Sequence, residues 1–113
     1  MRAATVRSFA LSLPEAEERE TWETATFRVR SKIFVMFDER ERRLWIKSVF
    51  DEQQALIAEN PEAFFVPSYV GSKGWVGVVV AKADRAEVEE LITEAWRMTA
   101  PKRLVASFDE GVA

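Results

Sequence analysis

The sequence predicts an α+β domain in the order α-β-β-β-α-β-β-α, an antiparallel sheet with helices packed on one face. Three observations lead there. Apolar residues recur at helical spacing near both ends of the chain, at Val6, Phe9, Ala10 and Leu13 and again at Val88, Leu91, Ile92, Ala95 and Trp96. Between them, apolar and polar residues alternate in short runs separated by turn signals, the pattern of half-buried strands. No strand-helix-strand unit repeats at fixed spacing, which removes a doubly wound parallel sheet.

The first helix is expected over residues 2–12, with Pro14 ending it because proline cannot continue a helix without losing a backbone bond. "LPEAEERET" reads as a charged connection, and its contiguous carboxylates as a solvated approach to the sheet rather than a metal cluster. Trp22 stands where that connection enters the first strand, closing the end of the core or edging a pocket. "TWETATFRVRSKIFVMFD" alternates and breaks at Ser31-Lys32, giving a hairpin, and "RLWIKSVF" resumes after the charged turn "DERERR" as a third strand. Asp51 and Gln54 form a capping box for a short helix that Asn60-Pro61 stops. Phe64 to Val66 and Trp75 to Ala81 supply the last two strands around a glycine-containing loop. Asp84 and Glu87 then open a long helix reaching about Thr99, and "KRLVASF" adds a turn or two.

With 113 residues, 48% of them hydrophobic and 31% charged, the chain fits one domain over 1–113, with a flexible tail expected from about residue 105. The absence of Cys and His removes thiol nucleophiles, disulfides, Cys/His zinc sites and the Ser-His-Asp triad. No catalytic constellation, cofactor or metal site is expected; carboxylates such as Glu23, a Lys or Tyr69 are the acid–base groups an enzyme would draw on, and no spacing pairs them. No apolar run approaches the length of a membrane helix, and the N-terminal residues lack the apolar core of a signal peptide, so a cytoplasmic protein away from membranes is expected.

The net charge of −3 opposes a purely electrostatic clamp on nucleic acid, but the charge is uneven. Pro14 to Glu23 carries five Glu against one Arg, whereas Phe27 to Lys47 carries seven Lys/Arg against three Asp/Glu. Strand parity separates two faces. Ala25, Phe27 and Val29, then Leu44, Ile46, Ser48 and Phe50, then Val76, Val78 and Val80 are assigned to the helix side. The other side gathers Arg28, Arg30, Trp45, Lys47 and Trp75, cations interleaved with flat rings, a composition suited to phosphates and stacked bases. Outward Trp residues also shield a sheet or meet in a homodimer, so monomer and homodimer both stay open.

The segments "FALSLPEAEE", "ATFRVRSKIFVMF", "PEAFFVPSYVGSKGWVGVVV" and "AWRMTAPKRL", taken in order, resemble the MmcQ/YjbR family of small bacterial proteins from the first helix to about Leu104. The resemblance implies a two-layer fold similar to CyaY-like domains. It also implies the family's usual description as DNA-binding, which rests on a double-wing-like arrangement of strands. Many members carry a His-x-Asn-Lys-x-His-Trp-like segment entering the last strand. The matching stretch here, Tyr69 to Trp75, keeps Lys73 and Trp75, is one residue short and lacks both His, so no proton-transfer or metal role carries over.

Three functional readings follow. In the first, a non-catalytic module binds DNA through Arg28, Arg30, Lys47 and Lys73 with Trp45 or Trp75 stacking. In the second, the loop from Tyr69 to Trp75 walls a pocket for a small anionic ligand or protein partner, with Lys73 neutralising charge; "GSKG" lacks the spacing of a phosphate-binding loop. In the third, the open sheet face closes a homodimer.

Overall fold

The alternating stretches between Thr24 and Ile46 pair as foreseen, because each strand meets its sequence neighbour across a short turn. A computed structural model describes residues 1–21 and 24–111; Trp22 and Glu23, for which a pocket edge and an acid–base role were considered, lie outside the described residues. The helices are α1 (Ala3–Ser12), α2 (Phe50–Glu59), α3 (Arg85–Thr99) and α4 (Lys102–Asp109). The strands are β1 (Ala16–Thr21), β2 (Thr24–Val29), β3 (Lys32–Asp38), β4 (Arg43–Ile46), β5 (Phe64–Phe65) and β6 (Val76–Val79), with 3-10 turns at Val70–Lys73 and Val80–Lys82. All pairings are antiparallel, in the spatial order β1-β2-β3-β4-β6-β5.

β1 corrects the expectation of a charged connection. Its residues show no apolar period because the strand lies at the sheet edge with its side chains largely exposed. Backbone bonding needs no such period, and Ala16 to Thr21 pair in unbroken register with Val29 to Thr24. Arg7 of α1 grips this edge, its Nε donating to both carboxylate oxygens of Glu18 at 2.9 Å, and it also bonds Glu39 in the β3–β4 turn.

The inward parity expected for β2 and β6 holds, and in β4 it holds for Leu44 and Ile46. These residues join Val35 and Phe37 in one core with Val6, Ala10, Leu56, Val88, Ile92, Ala95 and Trp96 from the helices. Trp96 is fully buried and its indole N–H donates to the Pro14 carbonyl at 3.0 Å, which satisfies the polar end of an otherwise apolar residue. On α4, Leu104, Val105 and Phe108 pack against the core, and the Phe108 ring sits 5.0 Å from that of Trp96. The stretch from residue 105 to Asp109, expected as a tail, is therefore helical.

Two further expectations are corrected around α2. β4 ends at Ile46, so Phe50 is the first residue of the helix and is 53% exposed rather than part of the core. The helix start uses Val49 with no side-chain cap, so Asp51 and Gln54 do not form a capping box. Asp84 does cap α3, accepting from the backbone N–H of Glu87 at 3.2 Å. Among the described residues no helix is long and apolar enough to cross a membrane.

Candidate functional site

Among the described residues α1, α2 and α3 send side chains into the one core and α4 packs against it, and a groove opens on the opposite sheet face. What stands on that face is set by register. A bulge between β2 and β3 pairs Phe27 with Val35 but Arg28 with Ile33, so Phe34 is the extra residue. Phe34 and Val35 are both buried, while Ile33 and Met36 emerge on the open side. A strict two-residue period assigns Ile33 to the core side, so the bulge is what hides this residue from sequence reading.

Trp45 lies across from Met36 on one side and from Gly77 on the other. Gly77 also pairs with Phe65, and a Cβ at Gly77 would come within 2.3 to 2.6 Å of the Phe65 ring. The ring therefore rests directly on the sheet, an aromatic covering a glycine across two strands. Arg43, two residues before Trp45 and on the same face, holds its guanidinium 5.4 Å from the centre of that ring.

These side chains line a groove of about 730 Å³. Ile33, Met36, Trp45, Phe65 and Tyr69 give it an apolar and aromatic surface, and Thr21, Thr24 and Thr26 place hydroxyls along the β1–β2 side. Asp38, Glu41 and Arg43 also line it, and Asp38 is already engaged, accepting the Glu41 backbone N–H at 3.0 Å. Thr26 is satisfied too, donating to the Arg19 carbonyl at 2.8 Å and accepting from Arg28 at 3.1 Å. A second concavity of about 710 Å³ lies around Arg7, Glu20 and Glu39, but its guanidinium is occupied by Glu18 and Glu39.

Tyr69 forms part of the groove and is 91% exposed. Its backbone has φ 62 and ψ −66, and the Val70 N–H donates to the Ser68 carbonyl at 2.6 Å. That is the left-handed γ-turn, a rare and strained arrangement for a residue with a Cβ. The loop is fixed at its other end by Gln53, whose fully buried amide donates to the carbonyls of Gly71 at 2.9 Å and Trp75 at 2.6 Å. Gly74 takes φ 95 there, and a Cβ would stand 2.8 Å from the Phe50 backbone nitrogen, so the loop can lie against the start of α2 only with glycine at this point.

Of the residues singled out in the sequence, Trp45 and Tyr69 meet in this groove. Arg28 shares the open face but bonds Thr26 and the Ser31 carbonyl, and the half-buried Lys47 follows the end of β4. Arg30 sits in the β2–β3 turn at φ 51 and is paired with Glu15 at 2.6 Å. That bond raises the Arg30 pKa and lowers that of Glu15. Lys73 is exposed at the end of the 3-10 turn, outside the groove lining. Trp75 corrects the expectation of an open ring: it is only 8% exposed. The residues missed were Ile33, Met36, Phe65 and Thr21, while Arg43, Thr24 and Thr26 have the outward parity of Trp45 without being singled out as site residues. For Phe65 a signal existed, an aromatic in one short strand and a glycine inside the next. Among the described residues no cluster of three or more His, Cys, Asp or Glu is arranged to hold a metal ion.

Comparison with known proteins bears on what this architecture is. The YjbR family model matches residues 11–98. This chain belongs to the YjbR family. The match takes in all six strands, α2 and the groove, leaving α4 and most of α1 outside. The YjbR-family chain is 44% identical over 54 residues to uncharacterised protein Rv2570 of Mycobacterium tuberculosis and equally to uncharacterised protein Mb2600 of Mycobacterium bovis. Each alignment covers 48% of this chain and 42% of the relative, so less than half of the relatives' length is matched. In three dimensions the chain is similar to Deinococcus radiodurans protein DR2400, described by the domain DUF419, with a TM-score of 0.78 and 21% identity. That likeness covers 86% of this chain and 77% of the other and concerns the fold.

Proposed function

We propose that this YjbR-family chain is a non-catalytic, cytoplasmic binding module whose open sheet face holds a small, planar, largely apolar molecule. The observation that carries the reading is the groove: an aromatic and thioether surface, hydroxyls on one side and the guanidinium of Arg43, at a volume ordinary for small-molecule sites. Trp45 offers a half-buried ring for stacking, and Met36 beside it supplies a polarisable surface that suits aromatic partners. Phe65 is seated on Gly77, so part of the surface is organised before any ligand arrives.

Mass spectrometry under native conditions on protein purified without additives, followed by thermal shift against a panel of bicyclic aromatics, tests this reading. A retained molecule or a raised midpoint that Trp45→Ala abolishes is the expected result. A flat response across the panel with no retained mass overturns it.

Nucleic acid is the second reading, favoured by Arg28 on the same face as Trp45 and by the half-buried Lys47 just past the end of β4. Against it stand the pairing of Arg30 with Glu15 and the carboxylates of Asp38 and Glu41 at the groove. Binding of a thymidine oligonucleotide that weakens steeply with salt, without any response to the aromatic panel, supports this second reading instead.

A further inference from the structure

Resting on the groove as a small-molecule site, we propose that its occupant is an aromatic monoanion whose negative group is recognised by Arg43. In the β3–β4 register Arg43 stands opposite Asp38, yet among the described residues no carboxylate lies within ion-pair distance of it. Its guanidinium lies against the Phe65 ring instead, 5.4 Å from the centroid. A guanidinium held against a ring keeps N–H donors for a planar acceptor such as a carboxylate. The seat is fixed from below, because Phe65 covers Gly77 at a distance that leaves no room for a Cβ.

Spacing sets the size of the molecule. Arg43 and Trp45 are two residues apart on one strand, so their side chains leave the same face about 7 Å from each other. A bicyclic ring stacked on Trp45 with one exocyclic acid group spans that interval. Charge sets its valence. Among the described residues Arg43 is the one cation lining the groove, and Asp38 and Glu41 line it as well. One negative group finds a partner there, whereas a polyanion meets two carboxylates. A planar cation is the competing chemistry that those carboxylates would favour.

The test uses the full chain, isotopically labelled, titrated with 2-naphthoate, 2-naphthamide and 2-naphthylmethylammonium, three molecules sharing one ring system and differing in charge. The readout is the indole N–H resonance of Trp45, assigned with Trp45→Phe. The naphthoate is expected to shift that resonance and to bind roughly tenfold or more tightly than the amide, the worth of a hydrogen bond to a charged group. Arg43→Gln is expected to erase the difference while leaving the amide unchanged, and Arg43→Lys to restore part of it. If the amide binds as tightly as the naphthoate, or the ammonium binds tightest, the monoanion is overturned while the groove stands as a site. If none of the three moves the Trp45 resonance, the small-molecule reading falls and this inference with it.

Discussion

Tyr69 occupies a backbone conformation that costs energy and carries a side chain that the fold leaves almost wholly in solvent. Strain of this kind persists where surrounding structure enforces it, and here Gly71 and Trp75 are held by Gln53 a few residues on. Glycine reaches positive φ without the steric penalty, and removing an exposed ring forfeits little packing. Tyr69→Gly is therefore expected to raise stability by about 1 kcal/mol in urea unfolding. The same substitution should weaken binding of any aromatic that fills the groove, so stability and affinity move in opposite directions. Tyr69 and Trp45 were legible from the sequence as large aromatics beside glycines or on an outward parity. Trp75 was assigned by the same parity and is buried: it stands one residue before β6, where strand alternation no longer fixes the direction of a side chain.

At the scale of elements, β2, β4 and α3 were readable because period, caps and breakers agreed along them, and β3 was readable as a strand though not in its facing. β1 was unreadable for a physical reason: its stability comes from backbone pairing with β2, which leaves no mark on side-chain choice at an exposed edge. The bulge at Phe34 is similar, since an inserted residue reverses parity without changing composition. Between α2 and the loop preceding β6, the join is made by one polar residue. Gln53 is fully buried and its amide serves two carbonyls, with Gln54 donating to its oxygen at 2.8 Å. Gln53→Leu keeps bulk and leaves both carbonyls unanswered. It is expected to cost about 1–3 kcal/mol. Faster amide exchange across Val70–Trp75 than in the parent chain would locate the loss, and unchanged exchange there would contradict this role.

Over the whole molecule, composition and element order were enough to give two layers and a free sheet face, whereas the groove on that face is a product of tertiary structure, because its lining comes from all of β1 to β5 and from the segment after β5. Charge distribution makes a separate prediction. Glu87 has its carboxyl pushed above the ordinary value of 4.5, chiefly by burial and then by Glu59 and the neighbouring acids. The folded form thus holds that proton more tightly than the unfolded chain, and the associated stability is lost as pH rises through the folded-state value. Glu87→Gln should flatten that loss, raising the urea midpoint at neutral pH relative to the parent and leaving the two closer together in acid. Glu15 works in the other sense, since its bond to Arg30 lowers its pKa and its contribution fades as pH falls. The last consequence concerns β1. As an edge strand it leaves one rim of backbone donors and acceptors without a strand partner, and beside Glu17, which Arg19 meets at 3.5 Å, and Glu18, which Arg7 holds, the exposed Glu20 places a negative charge where a second copy would add itself. A like-charged rim disfavours edge-to-edge growth, so how well copies of the chain stay apart is set in part by this one strand.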